Sequence, residues 1–318
     1  MKTGSNPWVW LCLLAFLRLA SPVAAAERVV VGMSTKGLYE FPTEVAQKKG
    51  LYQNEGLDLI KVTMKPNLII SALLAGEIDY SMVWGATLRA AVAGMPVRVF
   101  LGMYAKPLHM LIARPQFKKV EDLKGAKIAI SSVGSTPDVL LRATLSHFGI
   151  NPEKDVQILS VGGSSTRLAA LSSGSVDASP LDLAYVGKAE RLGLKPLIYL
   201  GDVLDLPLSG IGTSTKKIRE NPEQIRRLVR GTLKAMQYIR DNRADSLRMT
   251  IDYLQLPAGD AGKIYDFSVR SLSATGRFPD QSLITDINLA KQSLKIERDV
   301  PLSEVVDWSF VQEPKHSR

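Results

Sequence analysis

Two similar α/β lobes, each a mostly parallel sheet with helices on both faces, are the fold class this sequence predicts. Three observations carry it: a weak internal duplication at an offset of 98–99 residues, alternating strand and helix signals within each copy, and a helical remainder without a counterpart in the duplication.

The duplication is a set of landmarks in constant order. Val29-Val30-Val31 is matched by Ile128-Ala129-Ile130 and Gly50-Leu51 by Gly149-Ile150, each 99 residues on. The run from Leu74 through Gly76 to Asp79 returns as Ser172 through Gly174 to Asp177 at an offset of 98. Gly94-Met95-Pro96 parallels Gly193-Leu194-Lys195-Pro196, and Gly102 parallels Gly201. Solenoid repeats recur every 20–50 residues or so, so this period describes two whole lobes.

Within the first copy, residues 28–33 form an apolar run suited to a buried parallel strand. Residues 42–49 read as a helix with proline at its start and Gly50 past its end. A strand at 57–64, a helix at 68–75 closed by Gly76, a strand at 78–83, a helix at 87–93 closed by Gly94 and a strand at 97–101 complete the copy. The second copy repeats the scheme with a strand at 127–131. Its first helix opens on Thr136-Pro137-Asp138, read as N-cap, N1 proline and first-turn acid, and ends at Gly149. Further strands are expected at 156–160, 176–178 and 196–200. From about Gly210 the character changes. Asn221-Pro222-Glu223-Gln224 has the form of a capping box, followed by the stripe Ile225, Leu228, Val229, Met236 and Ile239. More helix follows at 245–253, 259–269 and 282–295, and 313–318 reads as a frayed end. The expected layout is a leader at 1–26, a first lobe from 27–109 and 210–318 completed by the returning helices, and a second lobe at 110–209.

The leader reads as an export signal. Lys2 precedes an apolar run from Trp8 to Leu17, and Ala24-Ala25-Ala26 offers a small-residue cleavage site. The run is shorter than the roughly 20 residues of a membrane span. The single cysteine, Cys12, falls inside this leader, which excludes disulfides, thiolate catalysis and cysteine metal sites from the remainder. Without Lys2 and Arg18 there remain 38 basic and 31 acidic residues, a net charge of +7. These charges are scattered and not interleaved with aromatics, which argues against nucleic-acid binding.

The segments 41–46 (Phe-Pro-Thr-Glu-Val-Ala) and 50–58 (Gly-Leu-Tyr-Gln-Asn-Glu-Gly-Leu-Asp) resemble the opening of periplasmic substrate-binding proteins for sulfonate, taurine, nitrate and thiamine-pyrimidine uptake. The stretch 120–129, with Glu121-Asp122-Leu123-Lys124-Gly125, resembles their entry into the second lobe. Residues 149–156 and 167–178 continue the likeness. The resemblance implies the two-lobed type II periplasmic-binding fold with two crossover segments, an ABC importer permease as partner, a monomer that meets the membrane only through that permease, a periplasmic location, and no cofactor or metal.

In open α/β sheets ligands sit beyond the carboxyl ends of the strands, so four loops should frame a cleft: 34–41 and 81–87 from one lobe, 132–138 and 179–183 from the other, paired by the offset. The candidate ligand contacts are Thr35, Gly37, Tyr39, Phe41, Trp84, Gly85, His109, Gly134, Ser135, Thr136, Pro180 and Asp182. Tyr39, Phe41 and Trp84 would supply ring faces for a flat ligand. The start of the helix at Gly134-Ser135-Thr136 would offer N–H donors to a carboxylate, sulfonate or phosphate. Each has a plainer reading: a core aromatic, a packed histidine, an ordinary helix cap. Arg167 could hold an anion or lie on a helix surface, and Asp79 and Asp177 read as strand-end acids explained by the duplication. The three histidines, His109, His147 and His316, make no metal motif, and neither a G-x-S-x-G elbow nor a P-loop is present. The expected function is capture of a small anionic or aromatic solute for an importer, without catalysis. A sensor subunit and a pyrimidine-forming enzyme on a related fold are the alternatives.

Overall fold

The computed structural model describes residues 26–34 and 37–311. The expected export signal up to residue 25, Thr35 and the terminal stretch 313–318 lie outside the described residues. Among the described residues there are ten strands: β1 (Glu27–Met33), β2 (Leu57–Thr63), β3 (Tyr80–Ser81), β4 (Val97–Tyr104), β5 (His109–Ala113), β6 (Lys127–Ile130), β7 (Gln157–Ser160), β8 (Ala178–Asp182), β9 (Lys195–Tyr199) and β10 (Ser209–Ser214). They form two sheets of like design, ordered β2-β1-β3-β10-β4 and β7-β6-β8-β5-β9. Within each, β1 or β6 pairs in parallel with its neighbours, and the strand in fourth place runs antiparallel to the third and fifth. That strand is exchanged: β5 follows the last strand of the first sheet and inserts into the second, and β10 makes the return.

The duplication is visible at atomic detail. Asp79 Oδ2 accepts the Val30 N–H at 2.8 Å, and Asp177 Oδ2 accepts the Lys127 N–H at 2.9 Å. In each copy the same aspartate also donates its own N–H back to the first strand, to Val30 and Lys127 carbonyls. These paired acids tie the third strand's entry to the first strand. Gly76 and Gly174 hold φ of 77° and 76°, ending equivalent helices in the left-handed region that glycine enters without a Cβ penalty.

The helices of the two copies are α1 (Phe41–Lys48), α2 (Pro66–Ala75), α3 (Trp84–Val92), α4 (Thr136–His147), α5 (Ser164–Ser172) and α6 (Val186–Arg191). After β10 come α7 (Thr215–Glu220), α8 (Pro222–Asp241), α9 (Arg243–Leu254), α10 (Ala258–Ser271), α11 (Asp280–Leu294) and α12 (Leu302–Val305). The α8 stripe is buried as its 3.6-residue spacing predicts: Ile225, Leu228, Val229, Met236 and Ile239 all lie against the first lobe. Helices α11 and α12 pack on α3, where Trp84 meets Phe278 edge-on at 5.0 Å. Helix α10 spans both lobes: Ser268 Oγ lies 2.9 Å from the Tyr104 hydroxyl of β4, and Ser271 Oγ 2.6 Å from the Tyr199 hydroxyl of β9.

Three local expectations are corrected. The strand expected at 78–83 is only Tyr80–Ser81, and its helix begins at Trp84, earlier than Thr87. Ser81 Oγ accepts the Val83 N–H and the Thr87 hydroxyl, making a tight polar turn that ends the strand early. The N-cap of α4 is Ser135 with Thr136 the first helical residue, because Asp138 reaches back to the Gly134 N–H at 2.8 Å. The expected capping box at Asn221 does not close; Gln224 turns inward and bonds Glu27 and the Tyr80 hydroxyl at 2.6 Å each.

Candidate functional site

A cavity of about 590 Å³ opens between the two sheets. It lies at the carboxyl ends of β1 and β8, where parallel strands leave loops free to line a cleft. The first lobe contributes the turn Leu38–Glu40 after β1 and the α9–α10 connection around Gln255, and the second contributes the start of α5 and the end of β8. Leu108, in the first crossover, closes its floor.

A hydrogen-bond chain runs across this floor from one lobe to the other. The Tyr39 hydroxyl accepts the Leu108 N–H at 3.1 Å and lies 3.1 Å from His109 Nδ1. The neighbouring Asp182 carboxylate is an acceptor and favours the tautomer in which Tyr39 donates to Nδ1 and the ring hydrogen sits on Nε2. That nitrogen stands 3.5 Å from Asp182 Oδ1. Burial lowers the basicity of His109, partly offset by Asp182, so the ring is neutral. Burial likewise raises the Tyr39 hydroxyl well above its ordinary value and keeps it protonated.

Asp182 is held from its other side as well. Its Oδ2 accepts the Ser164 hydroxyl, and Ser164 Oγ accepts Arg167 Nη2 at 3.0 Å. The Arg167 guanidinium is 2% exposed and spends its remaining donors on Ser179 Oγ and the carbonyls of Gly162 and Pro180. It therefore supports Asp182 through Ser164 from beneath the cleft. Burial lowers its basicity, with Asp182 acting in the opposite sense.

Glu40 faces the same cavity from the first lobe and is 5% exposed. Its Oε2 has no hydrogen-bond partner among the described residues. Burial pushes its carboxyl up to about 8, and Asp182 adds to the effect. Lys61 pulls the other way, but its ammonium is bound to Glu44 at 3.0 Å.

The predicted residues divide between two places. Gly37, Tyr39 and Asp182 line the main cavity, with His109 directly behind Tyr39. Trp84, Gly85, Gly134 and Thr136 line a second, much smaller pocket of about 40 Å³ between α3, α11 and the start of α4. There Trp84 Nε1 donates to Asp286 Oδ2 at 2.7 Å, and Arg89 lies close by. Phe41 and Pro180 are buried: Phe41 packs on the Tyr253 ring and Pro180 sits within β8. The Ser135 hydroxyl donates to the Ser132 carbonyl at 2.6 Å. Glu40 and Ser164 were not among the candidates. Glu40 stands between two residues singled out for their rings, and Ser164 lies on the loop after the second strand of its lobe, which the four-loop scheme leaves out.

Two crossover strands, two sheets of the same order and a cleft between them define the periplasmic-binding fold, and solved structures agree. The aliphatic sulphonate binding protein SsuA of Escherichia coli superposes with a TM-score of 0.72 at 18% identity, over 88% of this chain and 97% of that one. The NMT1/THI5 like family profile matches residues 39–245, and the chain belongs to that family. A candidate binding protein of Brucella abortus (strain 2308) is 27% identical over 220 residues, covering 67% of each chain. The 4-amino-5-hydroxymethyl-2-methylpyrimidine phosphate synthase THI12 of Saccharomyces cerevisiae is 24% identical over 235 residues, 68% of this chain and 67% of that one.

Proposed function

We propose that this protein is the extracytoplasmic solute-binding component of an ABC-type importer, exported by its N-terminal leader and binding one small molecule between its lobes. The observation that carries the reading is the cavity of about 590 Å³ lined from both lobes at the strand ends. That volume suits a small metabolite. The Tyr39–His109 bond crosses the cleft floor from the first lobe to the second, so occupancy and lobe closure would be coupled there. Binding is favoured over catalysis because Tyr39, His109 and Asp182 are locked to one another in a positioning chain. The test is expression of the full chain with its leader, followed by recovery of the periplasmic fraction. The expected product is a chain beginning at Glu27 that carries one small molecule per chain in native mass spectrometry. Retention of the leader in the cytoplasm, with no bound molecule, would overturn the reading.

A further inference from the structure

The polarity of the cleft carries an inference that rests on the solute-binding reading and deepens it. We propose that the cleft selects a small organic cation, an amine or amidine, whose N–H donors are received by Glu40 from one lobe and Asp182 from the other.

Glu40 is an acceptor withdrawn from water that lines the cavity; the backbone N–H groups of Glu40 and Gly37 act on its carboxyl, but Oε2 has no hydrogen-bond partner among the described residues. An unpaired polar atom in such a place costs stability, and a ligand that supplies a donor recovers that cost on binding. Asp182 stands in the opposite lobe with both oxygens oriented by Ser164 and His109, so its position is fixed before any ligand arrives. Among the described residues, the cations near the cleft are engaged or peripheral: Arg167, beneath Asp182, bonds Ser164, Ser179 and the carbonyls of Gly162 and Pro180. Arg191 is engaged by Asp260 through two bonds of 2.8 and 2.9 Å, and Lys188 is exposed at the rim. Lys61, behind Glu40, is engaged by Glu44. The hydroxyls of Tyr39, Tyr104 and Tyr253 surround Glu40 and remain neutral because burial raises all three. A sulfonate or nitrate in this cavity would meet Asp182 at close range, whereas a protonated nitrogen would relieve both carboxyl groups at once.

The inference has a proton signature. Burial holds Glu40 at about 8, so at pH 7 most of it carries a proton. A cation that binds the carboxylate must expel that proton, and affinity rises with pH up to about 8.

The experiment measures thermal shifts of the mature chain with three panels of small molecules at pH 7. The cations are putrescine, agmatine and benzamidine; the anions are nitrate, ethanesulfonate and benzoate; the neutral compounds are uracil and riboflavin. The stabilisers should come from the cations. Calorimetry of the strongest one in buffers of different ionisation enthalpy should show net proton release at pH 7, approaching one per site. Glu40→Gln should abolish that release, and both Glu40→Gln and Asp182→Asn should weaken binding at least tenfold. A binder drawn from the anionic or neutral panel, or undiminished binding by folded Glu40→Gln, would overturn the polarity inference and leave the solute-binding reading standing. Silence of all three panels would count against the cleft as a solute site, and both would fall.

Discussion

Asp286 shows how burial outside the main cleft changes the chemistry of a carboxyl group. It receives the Trp84 indole at 2.7 Å, in a pocket it shares with Arg89, Thr136 and the apolar side chains of Leu206, Leu208 and Leu289. Burial pushes its carboxyl up to about 6, against the partial relief of the Trp84 bond and Arg89. Because the folded value exceeds the unfolded one, the native state holds the proton longer, and stability falls as pH rises from about 4 to about 6. The full shift would correspond to about 3 kcal/mol, and water at this half-buried side chain reduces it toward about 1 kcal/mol. Asp286→Asn keeps an acceptor for the indole and removes the titration. Melting temperatures between pH 4 and 7 should lose that decline, and the variant should be the more stable protein at pH 7. At this scale the sequence is only partly legible. Trp84, read as a strand-end residue, opens α3 instead, and Gly134 stands just before the N-cap of α4. What they face is set by Asp286, some 202 positions away from Trp84, which no local pattern could announce. Glu40 escapes for the opposite reason, since an acid beside two aromatics in a turn reads as solvent-exposed until burial is known.

Elements were more legible than their ends. The glycine-closed helices, the alternating strands and the stripe of α8 follow from periodicity and caps. The boundaries that shifted did so where a polar side chain preferred a distant partner, as with Gln224, or a tight local turn, as with Ser81. The crossover strand β10, Ser-Gly-Ile-Gly-Thr-Ser, is poor in strand formers, yet it sits inside a sheet. Its glycines explain this, because the strand is squeezed between β4 and α3. A Cβ at Gly210 would lie 2.5 Å from the Leu101 carbonyl oxygen and 2.7 Å from the Trp84 ring, and one at Gly212 2.7 Å from the Arg98 carbonyl. The contact at Gly210 is with backbone, so it cannot be relieved by a rotamer change. Gly210→Ala should therefore destabilise the chain by about 1–3 kcal/mol, read as a lower denaturation midpoint in urea. A variant as stable as the parent would mean that the β10–β4 spacing is looser than described.

At the scale of the whole molecule, two duplicated lobes are held together by contacts the duplication does not contain. Helix α10 belongs to the helical remainder, yet Asp260 near its start receives both terminal nitrogens of Arg191 from α6, and Lys263 reaches Glu190 at 3.1 Å. Asp260 also lies hard against Gly187, where a Cβ would come within 2.2 Å of its carboxyl carbon. These contacts join α6 of the second lobe to α10 at the cavity that Arg191 and Asp260 help to line, while the two crossovers run through 105–108 and 200–208. Gly187→Ala tests this arrangement with little risk to the fold, because alanine is the better helix former by about 1 kcal/mol. The added methyl must displace Asp260 and release Arg191. The variant should keep its melting temperature within a few degrees but scatter X-rays with a larger radius of gyration than the parent when unliganded. An exposed ion pair is worth up to about 1 kcal/mol, so ligand affinity should fall by no more than about fivefold, and saturating ligand should restore the compact form. Equal radii for parent and variant, with and without the strongest panel compound, would show that the lobes do not depend on this contact and that closure is governed at the crossovers alone.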